Sequence, residues 1–135
     1  GSALNQLNDP EGIFVDAEGN LYIADDANHR VMKWAPGATQ GVVVAGNGPG
    51  NALNQLQDPH SVFFDNAGNM YVSDFTNNRV MKWAPGASQG TIAAGTAMGG
   101  SAINQLIDPI GVFVDTKGYL YVADPGNARV VRWAQ

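Results

Sequence analysis

Apolar residues fall in short runs, and the runs come back at a fixed spacing. Ile13-Phe14-Val15 returns as Val62-Phe63-Phe64 and as Val112-Phe113-Val114. Leu21-Tyr22-Ile23-Ala24 returns as Met70-Tyr71-Val72-Ser73 and Leu120-Tyr121-Val122-Ala123. In both series consecutive positions are apolar, the mark of a strand covered on its two faces. Arg30-Val31-Met32-Lys33-Trp34 and its copies Arg79–Trp83 and Arg129–Trp133 alternate more cleanly, as expected of a strand farther from the centre. A fourth run occurs only twice, as Gly41–Ala45 and Gly90–Ala94. Polar joints separate the runs: Asp16-Ala17-Glu18-Gly19-Asn20 reads as a tight hairpin, and Ala35-Pro36-Gly37 as a second turn.

The step between copies is 49 residues and then 50, because one residue is inserted near Met98. A period of this size marks a supersecondary unit that cannot cover its own apolar faces and must stack on its neighbours. The pattern predicts an all-β chain of three units, 1–49, 50–99 and 100–135, each a four-stranded antiparallel meander. The third unit lacks its outer strand. Meanders of this period, apolar on both faces, are blades of a β-propeller. Before each first strand, Ala3-Leu4-Asn5-Gln6-Leu7 and its copies predict one helical turn plugging an end of the unit. The following Asp-Pro stops that turn.

Composition sharpens this picture in a few places. Of 135 residues, 44% are hydrophobic, and the 17 Gly and 7 Pro sit at regular intervals, which suits many short strands. The absence of Cys rules out disulfides and thiolate metal sites. No apolar run approaches the roughly 18 residues of a membrane span. The net charge is −5, and nine of the twelve acidic residues recur once per unit: Asp9/Asp58/Asp108, Asp16/Asp65/Asp115 and Asp25/Asp74/Asp124. Arg30/Arg79/Arg129 and Lys33/Lys82/Arg132 recur likewise. Charges repeated in this way serve the unit's own fold, and no basic stripe is available for phosphates, which argues against a nucleic-acid partner.

The motifs then become specific. Asp9-Pro10-Glu11-Gly12, Gly19-Asn20-Leu21-Tyr22-Ile23-Ala24-Asp25 and Asn28-His29-Arg30-Val31 together resemble the NHL repeat, over essentially the whole chain and three times over. The copies depart from it at Ser61, where the others have Gly12 and Gly111, and at Asn78 and Ala128, which replace His29. The resemblance implies a six-bladed ring. Three blades cannot close one, so a homodimer is expected, or a piece excised or engineered from a longer propeller. Joining unit three of one chain to unit one of another is expected to bury Phe14, Tyr22, Phe113 and Tyr121.

Four sets of residues are candidates for a site. Asp25 with Arg30, Asp74 with Arg79 and Asp124 with Arg129 span the turn between second and third strands and read as structural braces, the Arg fork taking the carboxylate with two hydrogen bonds. Trp34, Trp83 and Trp133 read as blade packing, and the Asn-Gln pairs at 5–6, 54–55 and 104–105 as partners of loop backbone. The residues that do not repeat are sharper candidates: Glu11, His60, His29 and Asp26, expected near one mouth of the central channel. They are of the right type for zinc or calcium, although no cofactor is expected. No catalytic triad or phosphate loop is visible. The preferred expectation is a non-catalytic scaffold that binds a protein or peptide. The alternative is a metal-dependent propeller lyase or hydrolase with its site at the channel mouth.

Overall fold

Each apolar run becomes a strand. The computed structural model describes all residues, Gly1–Gln135, as three antiparallel sheets. In the first, β1 (Pro10–Val15), β2 (Leu21–Asp25), β3 (Arg30–Trp34) and β4 (Val42–Ala45) pair in chain order. The second repeats this with β5 (Pro59–Phe64), β6 (Met70–Asp74), β7 (Arg79–Trp83) and β8 (Thr91–Gly95). The third has three strands, β9 (Val112–Val114), β10 (Leu120–Asp124) and β11 (Arg129–Trp133).

The hairpins form for the reason their sequence suggests. Asp16 Oδ1 accepts from the backbone N–H of Glu18 at 3.1 Å and of Asn20 at 2.8 Å, while Gly19 takes φ +83°. Asp65 and Asp115 do the same in their own units. The loop before β1 is a single turn closed by Gln6 N–H to Ala3 O at 3.0 Å, rather than a helical turn, and the Gln6 side-chain Oε1 in turn accepts from Ala3 N–H. Gln55 and Gln105 close the same turn.

Strand alternation decides how the sheets stack. In the middle sheet Val62, Met70, Val72, Met81 and Trp83 point at the first sheet, where Tyr22, Val31 and Ala45 meet them with Phe14 alongside. Their neighbours Tyr71, Val80 and Ala94 point the other way, onto Val114, Leu120 and Val122 of the third sheet. Leu56 and Leu106, from the loops before β5 and β9, plug the two seams. Along the inner strands Phe14, Phe63 and Phe113 meet in series, the first pair edge to face and the second tilted, with centroids 5.4 and 5.0 Å apart.

Two faces are left over. The first sheet turns Ile13, Val15, Leu21 and Trp34 outward, and Ile13 is 65% exposed where its counterpart Val62 in the first seam is 3% exposed. The third sheet turns out Phe113, Tyr121 and Val130, and Val130 is 69% exposed where Val80 is fully buried. The structure corrects part of the expected junction. Phe14 and Tyr22 already lie in the seam with the second sheet; the open face of the first sheet is that of Ile13 and Val15. With both faces apolar, the sequence pattern cannot say which face meets which neighbour.

Candidate functional site

The most regular polar arrangement is the brace. Asp25 and Arg30 are register partners at the open ends of β2 and β3. A 3₁₀ turn over Asp26–Asn28 and a left-handed His29, φ 54°, bring the chain back between them. Arg30 Nε donates to Asp25 Oδ2 at 2.7 Å, Nη1 to Ser2 O at 3.0 Å, and Nη2 to Ala3 O and Gln6 O at 3.2 and 3.1 Å. Only one guanidinium bond therefore reaches the carboxylate; the other three hold the carbonyls of the loop before β1. Arg79 and Arg129 repeat the pattern on Asn51, Ala52 and Gln55 and on Ser101, Ala102 and Gln105.

A second arm was not legible in the sequence. Asn28 Nδ2 donates to Asp25 Oδ2 and to Gly1 O, both at 2.9 Å. Asn77 and Asn127 do likewise with Asp74 and Gly50 and with Asp124 and Gly100. Asp25 Oδ1 accepts from Asn8 N–H at 2.8 Å. The recurrence of Asn28, Asn77 and Asn127 was visible; one acceptor of each is a backbone carbonyl, which leaves no trace in a residue pattern.

The copies differ in electrostatics. Burial pushes the Asp74 carboxyl above the usual carboxylate range, against the hydrogen bonds of Gln57, Asn77 and Arg79. At Asp124 burial pushes the same way but is outweighed by Ile107 N–H, Asn127 and Arg129, so the group lies below that range. Neither carboxylate has exposed surface. The difference lies in what surrounds the pair: the Arg79 side chain is 2% exposed, that of Arg129 25%.

The channel-mouth candidates fall into two pairs across the seam between the first and second sheets. His60 Nε2 lies 3.1 Å from Asp26 Oδ2, and its ring stacks on Phe75 at 4.3 Å. Burial raises the Asp26 carboxyl; His60 opposes this, while Asp58, Asp9 and Glu11 add to it. His29 Nδ1 accepts from Asp58 N–H at 3.2 Å, the place taken by Asn78 Oδ1 on Asp108 N–H at 3.1 Å in the next unit. That donor assigns neutral His29 with its proton on Nε2. The contact of Nδ1 with Asp58 Oδ1 at 3.1 Å is then between two acceptors, and becomes an ion pair only on protonation. Glu11 is exposed and pairs with no cation. In the second seam Phe75 and Ile110 replace Asp26 and His60, and Ser73 Oγ donates to Ile110 O at 2.7 Å. No group of three or more His, Cys, Asp or Glu side chains is arranged to hold a metal ion.

Three stacked antiparallel meanders with their first strands side by side define part of a β-propeller. Residues 7–34 match the NHL repeat family, and the same motif recurs in both later units. The first unit thus carries an NHL repeat. No curated protein sequence matches it. Among solved structures it is similar to an auxiliary nutrient binding protein from Bacteroides thetaiotaomicron VPI-5482, with TM-score 0.69 and 17% identity over 89% of this chain and 36% of that one. It is also similar to virginiamycin B lyase from Staphylococcus aureus, with TM-score 0.59 and 13% identity over 97% and 43%. A nidogen/laminin complex gives TM-score 0.60 and 13% identity over 93% and 48%. The chain thus spans less than half the length of each. At these identities the likeness is one of fold.

Proposed function

We propose that the chain is a non-catalytic NHL-repeat scaffold, and that two copies join head to tail into one six-bladed ring presenting a face to a protein or peptide. The observation that carries this reading is the pair of unpartnered faces. The face of Ile13, Val15, Leu21 and Trp34 corresponds position by position to the face of the middle sheet that is buried in the first seam. The face of Phe113, Tyr121 and Val130 corresponds to the one buried in the second. A third seam of the same kind is what these two surfaces fit, and an exposed apolar area of this extent is unusual for a lone soluble domain. The nidogen/laminin and nutrient-binding likenesses support a binding role. Light scattering at micromolar concentration should give twice 14.2 kDa, and Val130→Asp should halve that mass. A folded wild-type chain of single mass overturns the ring, and leaves the alternative that these faces meet further blades of a longer propeller.

A second reading, a metal-dependent lyase or hydrolase at the channel mouth, is favoured by the likeness to virginiamycin B lyase and by the Asp26–His60 pair. It predicts that added zinc or calcium raises the melting temperature of the wild type and not of His60→Ala. No rise in the wild type removes it.

A further inference from the structure

We propose that the cleft between the first and second sheets is a binding site for a small aryl carboxylate, its ring buried between the sheets and its carboxylate held by Lys33. The cleft is a cavity of about 360 Å³ on the side of the molecule where the β5–β6 and β7–β8 hairpins turn. Its floor is core: Tyr22, Met70 and Trp83 belong to the buried cluster of the first seam, and Val44 and Phe64 pack against it. Tyr22 and Phe64, with ring centroids 4.4 Å apart, form one continuous aromatic wall. The rim is the turn Ala84–Ala87, closed by Ala87 N–H to Ala84 O at 3.0 Å with Gly86 at φ +75°. A cavity of this size, mostly apolar with a single charged group, has the make-up of a small-molecule site. It lies between two complete four-stranded sheets, so it is present whether the chain stands alone, closes a ring or continues into further blades.

The lone cation sets the charge of the ligand. Lys33 is the only charged residue in the lining, and no carboxylate lies within ion-pair distance of it. Its Nζ lies over the Tyr22 ring, 5.8 Å from the centroid. Burial raises the Tyr22 hydroxyl and Lys33 opposes that rise, which places the ammonium near the phenol oxygen as well. The nearby carboxylates, Asp16, Glu18 and Asp65, line a separate cavity beside β1. Asp16 Oδ2 is already engaged there, by Asn20 Nδ2 at 2.8 Å and the Tyr22 hydroxyl at 3.4 Å. An ammonium on an apolar wall without a counter-ion selects an anion, and a carboxylate accepts charge-assisted hydrogen bonds from it. The aromatic wall selects the rest of the molecule: a flat ring packs offset or edge-on against Tyr22 and Phe64 and leaves water in doing so. Lys82 is the matching residue of the middle unit and does not line this cavity.

The test titrates naphthylacetate into the full chain by calorimetry. Saturable binding at one molecule per chain is expected. Naphthylacetamide, which keeps the shape without the charge, and naphthylethylammonium, which reverses it, should each bind at least about tenfold more weakly. Lys33→Gln should weaken naphthylacetate by about tenfold or more, and Lys82→Gln should leave it unchanged. Ala87→Trp, at the exposed rim, should block the mouth and abolish binding while the melting temperature holds. No saturable binding, equal binding of the amide, full binding by Lys33→Gln or by Ala87→Trp, or an equal loss in Lys82→Gln would each overturn the proposal. Attachment to the exposed end faces would show as an affinity that ignores Lys33, and counts against it in the same way. The ligand series needs only the wild-type chain, so the proposal stands or falls even where a variant does not fold. Light scattering of the same samples reports ring closure separately, so a dimer that ignores naphthylacetate sinks this inference alone, and a single-mass chain that binds it sinks the ring alone.

Discussion

Arg79 is the sharpest place to perturb the brace, because it sits in the middle unit with a sheet on either side. Replacing it by Ala leaves the Asp74 carboxylate, which has no exposed surface, without its cation at 2.7 Å. It also frees the carbonyls of Asn51, Ala52 and Gln55. Breaking a buried pair in this way costs about 3–5 kcal/mol. Asp74 keeps its bonds from Gln57 N–H at 2.7 Å and Asn77 Nδ2 at 2.9 Å, and the loop carbonyls can turn to water. The expected cost is therefore at the lower end, about 3 kcal/mol. With a urea slope of about 2 kcal/mol/M, the unfolding midpoint should fall by about 1.5 M. Arg79→Lys keeps the charge and loses the fork, so it should fall between the two. An Arg79→Ala midpoint equal to the wild type, at unchanged slope, would refute the view that this pair holds the loop to the sheet.

Three further outcomes follow from the same geometry. His29→Asn should change stability by less than about 0.5 kcal/mol, since Asn78 already fills that role on Asp108 N–H, whereas His29→Ala removes an acceptor and should cost about 1 kcal/mol by thermal or urea melting. Ala128 stands at the equivalent left-handed position, φ 52°, and Ala128→Gly should stabilise by about 0.5–1 kcal/mol; a loss of stability would show that the methyl group matters. At Asp65 burial pushes the carboxyl up, but Asn69, the Ala67 and Asn69 amides and Tyr71 hold it below its ordinary 3.8. The unfolded chain therefore binds the proton more readily, and stability from this group, present above that value, is lost as pH falls through the lower folded value. Asp65→Asn should flatten the acid side of the stability curve, and an unchanged acid limb would count against it.

Most of the fold was legible in the chain because its strands are short, bounded by turn residues and repeated. Ile13-Phe14-Val15 and its copies locate the inner strands, and the recurrence of Asp25 with Arg30 locates the brace. Three things were hidden. The grip of Arg30 on Ser2, Ala3 and Gln6 uses carbonyls that any residue would supply. The 3₁₀ turn at Asp26–Asn28 reads only as a polar joint, because the backbone bends there without a glycine or proline. The pairings of His29 with Asp58 and of His60 with Asp26 join different units, and so long a separation in the chain carries no local signal.

The glycine of the inner strand is sterically required in the first unit. A Cβ at Gly12 would come within 2.5 Å of His60 O and 2.8 Å of the Ser61 Cα, so the inner strands of the first seam approach too closely for any side chain. At Gly111 the nearest atom to such a Cβ is Ala123 Cβ at 3.6 Å, an ordinary van der Waals contact.

Because the units are near copies, the chain contains its own reference measurements. Ile13 and Val62 share a place in the repeat, as do Val130 and Val80, yet in each pair one side chain faces water and the other lies sealed in a seam. A library that samples all residues at these four positions would compare like with like, with chemistry, neighbours and strand type held nearly constant. Tolerance of polar residues at 13 and 130, beside intolerance at 62 and 80, is the record of a chain whose end faces stay wet. Matched intolerance at all four would mean that the end faces are covered in the cell. The repeat thereby turns sequence tolerance into a measure of assembly, without the assembly having to be isolated.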